Sequence, residues 1–174
     1  PVHGLARIAD WRVGQSTAGQ ATLEFAVDGS NPDFPHAARA VLEITLGDAL
    51  LVALTTTNTG PTPFSLTQGL HTYFRVGDVG EVEVLGLEGA VSQKGDRSTE
   101  PVRIDGEVDR IYAPVTGLLR IVDRSIGRVI NVQNGGCTEA VVWNPGSDKP
   151  DMPPGGYRNM LCVEPANARD APSL

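Results

Sequence analysis

ARAVLEITLGDALLVALTTTNTG, residues 38–60, is two apolar, strand-forming runs divided at Gly47-Asp48. A run, a short turn and a second run of this kind read as a β-hairpin. The preceding stretch, ATLEFAVDG (21–29), puts Leu23, Phe25 and Val27 on one face at period two, the strand repeat. EVEVLGLEGA (81–90) sets Val82, Val84 and Leu85 against glutamates, and GLLRIVDRSIGRVINVQNGG (117–136) reads as a second hairpin turning near Ser125–Gly127. TEAVVWNPG (138–146) and NMLCVEPANA (159–168) are apolar runs that stop at proline. Twenty glycines and thirteen prolines cut the chain at short intervals, and no segment keeps a 3.6-residue period over three turns. SDKPDMPPGGYRN (147–159) has room for one helical turn between its prolines, and SQKGDRSTEP (92–101) reads as an exposed loop. The expected class is all-β and antiparallel, a sandwich or a barrel, built as a single domain over 1–174.

Composition narrows the function. With a net charge of −7 the chain is a poor ligand for polyanions, so no nucleic-acid partner is expected. No run approaches the roughly 18 apolar residues of a membrane-spanning helix; no signal peptide, a cytoplasmic setting and no membrane partner are expected. Cys137 and Cys162 have no C-x-x-C spacing and read as buried free thiols. A metal site would require His3, His36 and His71 to converge with a carboxylate, and none is expected.

Four places set polar groups in apolar surroundings: His3, Arg7 and Trp11 in PVHGLARIADW; His71 in QGLHTYFRV (68–76); Asp109 and Arg110 beside Tyr112 in EVDRIYAP; and Glu164 in NMLCVEPANA. A lone histidine is either a satisfied structural residue or a proton carrier. Alternation puts Leu161 and Val163 on one strand face, with Cys162 and Glu164 on the other, so Glu164 is at the strand's mouth or partly buried. Burial would raise its pKa and make it a better base near neutrality. His71 and Glu164 would then form an acid–base pair, if the fold brings them together. No G-x-S-x-G nucleophile and no phosphate-cradling glycine loop is present. Trp143 and Tyr73 read as core aromatics in preference to sugar-stacking ones, and His36 as a surface-loop residue.

Taken in order, HGLAR with Trp11, LHTYFRVGDVGEVEVLGL, EVDRIY, VVWNPG and MLCVEPANA resemble the aldose 1-epimerase (mutarotase) superfamily, and within it the glucose-6-phosphate 1-epimerase, or hexose-6-phosphate mutarotase, branch. The resemblance implies a large antiparallel β-sandwich of the galactose mutarotase type, of which this chain carries the C-terminal majority. The family's N-terminal strands and an R-G-G-I-P-like arginine segment are not in it. It implies an isomerase that exchanges sugar anomers without a cofactor, acting on a hexose 6-phosphate as a monomer or weak oligomer. His71 would be the catalytic acid toward the ring oxygen and Glu164 the base toward the anomeric hydroxyl, the two separated by about the width of a pyranose ring. Asp109 and His3 would hold the sugar, and Arg7 the phosphate. The alternatives are a mutarotase for unphosphorylated aldoses and a non-catalytic sugar-binding module on the same fold.

Overall fold

The alternating stretch 21–29 forms antiparallel strand over Gln20–Asp28. The computed structural model describes residues 3–99, 101–169 and 171–174. It resolves into two compact units, Pro1–Leu66 with Pro172–Leu174, and Thr67–Ala171.

The first unit holds β1 (Arg12–Ser16), β2 (Gln20–Asp28), β3 (Ala37–Leu46) and β4 (Leu50–Asn58) as an up-and-down sheet in chain order. The expected hairpin lies between β3 and β4. Leu46 pairs with Leu50, and Gly47-Asp48-Ala49 makes the loop, closed by a Gly47 N–H to Ala49 O bond of 3.1 Å. The C-terminal residues return to this unit, where Leu174 and Phe64 exchange backbone bonds.

The second unit is a sandwich of two antiparallel sheets. Its strands are β5 (Gln68–Gly69), β6 (Tyr73–Arg75), β7 (Val82–Leu85), β8 (Val91–Ser92), β9 (Val102–Arg103), β10 (Val108–Ala113), β11 (Leu118–Asp123), β12 (Arg128–Gln133), β13 (Glu139–Asn144) and β14 (Met160–Asn167). One sheet runs β5-β14-β13-β10-β8, with β6 also on β14; the other runs β12-β11-β7-β9. Val82, Val84, Leu119 and Ile121 from the second sheet meet Ala140, Val142, Leu161 and Val163 from the first in one buried apolar cluster. Burial of such side chains is the main stabilising contribution, about 1.5–3 kcal/mol each.

EVEVLGLEGA is strand only as far as Leu85. Gly86 has φ +94, and a Cβ there would stand 2.4 Å from Leu118 O, so only glycine lets the chain turn under its neighbour. SDKPDMPPGGYRN supplies one short 3₁₀ turn, Gly156–Asn159, as its prolines allow. Within the polar loop, Ser92 is buried in β8 and residues 93–97 are exposed, while Glu100 lies outside the described residues. Among the described residues no helix is long and apolar enough to cross a membrane.

The Asn-Pro-Gly stop after β13 contains more than a turn signal. Asn144 is fully buried; its Nδ2 donates to Tyr157 O and Met160 O, both at 2.8 Å, and its Oδ1 accepts from Gly146 N–H at 2.8 Å. This one amide ties the end of β13 to the start of β14. Asn144→Ala should leave buried carbonyls unpaired and lower unfolding free energy by about 1–3 kcal/mol, read as a lower urea midpoint at unchanged m-value.

Candidate active site

β14 alternates as its sequence dictates. Leu161 and Val163 enter the core, and Cys162 and Glu164 take the opposite face. Antiparallel register then lines up two rows across that face. Asp109 pairs with Trp143, Trp143 with Cys162, and Cys162 with Tyr73; in the next row Ile111 pairs with Val141, and Val141 with Glu164. β5 and β6 lie along β14 in one continuous register, from Gly69↔Ala166 to Tyr73↔Cys162, which sets His71 opposite Glu164. Between them the backbone leaves the ladder. Leu70 N–H bonds Pro165 O at 3.1 Å, and Thr72 N–H turns back to Leu70 O at 2.8 Å, a three-residue turn centred on His71.

His71 Nδ1 stands 3.4 Å from Glu164 Oε1. The imidazole side chain is 31% exposed and the carboxylate 9%. Tyr73 stacks on the imidazole with ring centroids 4.9 Å apart, and Trp143 meets it edge-on at 5.8 Å. Tyr73 and Trp143 thus flank the histidine ring. Gln93, from the polar loop, donates to Asp109 O at 3.0 Å and accepts from Ile111 N–H at 2.7 Å, bracing the strand that carries Asp109.

Burial, with the nearby Asp109 carboxylate adding to it, pushes the Glu164 carboxyl up to about 7. A carboxyl so placed accepts a proton readily near neutral pH, and a histidine within reach of the same atoms can supply one. Burial, and then Glu164, also push the Cys162 thiol well above its ordinary value. That thiol is therefore a poor nucleophile.

Several expectations change. His71 and Glu164 stand 3.4 Å apart, not the width of a pyranose ring. Tyr73, 54% exposed, and the half-buried Trp143 belong to this outward face, not to the core. His36 is no plain surface residue: half-buried in the first unit, it stacks on Phe64 at 4.6 Å. Among the described residues, His71, Cys162 and Glu164 bring donor atoms within 4.8 Å of one another. Cys162 is free and buried, as expected, and Cys137 is free but only half-buried. Cys162 was the residue to notice in the sequence, because alternation puts it in line with Glu164.

His3 and Arg7 belong to the first unit, in the turns before β1, and both are exposed there. His3 takes a left-handed φ of 65°. Trp11 secures this segment, its indole N–H donating to Ala6 O at 2.8 Å and its ring lying 5.6 Å from that of Phe25. His71, Glu164 and Asp109 share the outward sheet face of the second unit.

A family profile described as aldose 1-epimerase matches residues 1–174. A relative from Cenchrus ciliaris, named "Putative glucose-6-phosphate 1-epimerase", is 31% identical over 94% of this chain and 57% of its own length. An Escherichia coli relative of the same name is 30% identical over 98% of this chain and 62% of its own. The chain thus spans about three fifths of the length of the curated relatives it matches. A solved Salmonella typhimurium structure, described as a "putative mutarotase", superposes with a TM-score of 0.85 at 26% identity, over 99% of this chain and 62% of that one. The antiparallel architecture matches that neighbour.

Glu164 gives a signed pH dependence. Its folded pKa, about 7, is above the ordinary 4.5, so the native state binds the proton more tightly than the unfolded chain. Its contribution to stability is greatest below pH 4.5 and is lost as pH rises toward 7. Glu164→Gln should therefore gain stability relative to the parent across that window, by up to about 3 kcal/mol, in urea titrations at several pH values. Asp109→Asn removes a like charge and should move the Glu164 midpoint down, read from the carboxyl shift of ¹³C-labelled glutamate.

Proposed function

The chain belongs to the aldose 1-epimerase family, and on that premise we propose that it is an isomerase exchanging the α and β anomers of a hexose 6-phosphate, glucose 6-phosphate first. The observation that carries the reading is the facing pair, His71 and Glu164, at 3.4 Å on one outward sheet face. Protonated His71 gives its proton to O5 while ionised Glu164 takes the proton of the anomeric hydroxyl. The C1–O5 bond breaks, the aldehyde turns about C1–C2, and the reverse steps close the ring on its other face. Ring closure returns each proton to its origin, so the pair is ready for the next sugar. Because only protons move, the reaction calls for no cofactor. The raised Glu164 pKa suits this work, since a base near the working pH both ionises and accepts well.

Asp109, on the same face, is the proposed partner of sugar hydroxyls. The roles of His3 toward the sugar and Arg7 toward the phosphate rest on the H-G-x-A-R motif in which they stand. A guanidinium fork suits phosphate oxygens, and such charge-assisted bonds are the strong ones. The names of the Cenchrus ciliaris and Escherichia coli relatives support the phosphorylated sugar over the free one.

Anomer exchange of glucose 6-phosphate, followed by NMR exchange spectroscopy, tests the reading. Glu164→Gln should lower exchange by about 10²–10⁴-fold with sugar phosphate binding retained, because glutamine keeps the shape but cannot take the proton. A variant exchanging at the parent's rate removes Glu164 from the mechanism. Arg7→Ala should lower the ratio of kcat/KM for glucose 6-phosphate to that for glucose by about tenfold or more. An unchanged ratio would turn the reading to a mutarotase of free sugars, and a parent chain inert on both sugars to a binding module.

A further inference from the structure

We propose that His71, Cys162 and Glu164 form a three-ligand site for a borderline-soft divalent cation of the zinc class, and that the bound cation closes the sugar site. The second half rests on the mutarotase reading; the first does not.

The donor set is the first argument. One imidazole, one thiol and one carboxylate together suit zinc and its neighbours, whereas magnesium and calcium take oxygen ligands alone. Geometry is the second. Bonds of about 2.0–2.3 Å in a tetrahedral site put the donor atoms roughly 3.3–3.8 Å apart. His71 Nδ1 and Glu164 Oε1 already stand at 3.4 Å, and all three donors lie within 4.8 Å, so a modest side-chain rotation brings the sulfur in. The ligands stand on a fixed frame. Glu164 and Cys162 are successive outward residues of β14, His71 is opposite Glu164 in register, and Tyr73 and Trp143 hold the imidazole.

Charge is the third argument. Glu164 and a Cys162 thiolate together neutralise a divalent ion, and Asp109 adds a further negative charge on the same sheet face. The thiol proton leaves to solvent as the metal–sulfur bond forms. The partly exposed imidazole gives the ion a way in and leaves a fourth position for water. Once bound, the ion holds both the proposed base and the proposed acid, so neither can reach O1 or O5.

Cobalt(II) is the probe, added to the full chain and followed by absorption. The expected result is a thiolate-to-cobalt charge-transfer band saturating at about one equivalent, lost in Cys162→Ser and displaced by zinc. Cys162→Ala, which keeps the position apolar, serves where serine unfolds the chain. No such band from folded parent protein, or an equal band in the Cys162 variants, overturns the site. In the anomer-exchange assay zinc should lower the parent rate at least about tenfold, reversed by chelator. Cys162 variants, each measured against its own metal-free rate, should change less than about twofold. Equal zinc inhibition of parent and variants overturns closure through this site. A saturating band from a chain that exchanges no anomers without metal would uphold the metal site and remove the mutarotase reading.

Discussion

Strand β14 has hydrogen-bonded partners on both edges, β13 on one side and β5 with β6 on the other, and this double pairing governs the second unit. A strand held on both edges cannot slip by one residue without turning its whole inward set outward. Leu161 and Val163 fix which face is inward, because the apolar cluster closes around them. Cys162 and Glu164 are then forced outward together. The same register aligns Trp143 and Asp109 from one side, and Tyr73 and His71 from the other. The candidate site follows from the packing of the core's reverse side.

Three buried carboxylates in this unit have opposite fates. Burial pushes Glu139 up, but the Arg169 guanidinium and the backbone N–H groups of Ala168 and Arg169 outweigh it and hold the carboxyl below its ordinary value. Asp123 is buried too, yet Ser125, Gly77 N–H and Arg128 hold it low. For Glu164 burial prevails, with the Asp109 carboxylate adding to it, and its pKa rises. The first two are structural anchors, satisfied by donors; the third keeps an unfavourable ionisation on the outward sheet face. Sites of this kind cost stability, and the ties at Asn144, Glu139 and Asp123 hold the surrounding strands while that cost is carried.

Long alternating runs were legible in the chain itself. The β3–β4 and β11–β12 hairpins, the antiparallel class and the outward direction of Cys162 and Glu164 all follow from period two and from turn residues. The two-residue strands β5, β8 and β9 were not, because a pair of residues has no period to read. The stop of β7 at Leu85 depended on Gly86 passing under Leu118, a neighbour distant in sequence. Tyr73 and Trp143 looked like core because both are large and apolar; which face a strand residue takes depends on register, and register is a property of the pair.

The sequence by itself determined the chemistry available: a histidine, a carboxylate and a thiol set in strand-forming segments, and motifs that mark a family. Local periodicity needs no partner, so strands, turns and the common face of Cys162 and Glu164 were fixed by short stretches alone. Only the tertiary structure decided that His71 stands opposite Glu164, that Asp109 acts on the same carboxyl, and that aromatics hold the imidazole. The physical reason is that pKa and reach depend on burial and on charges brought together across strands. Those are set by pairings between residues far apart in the chain, which no single stretch contains.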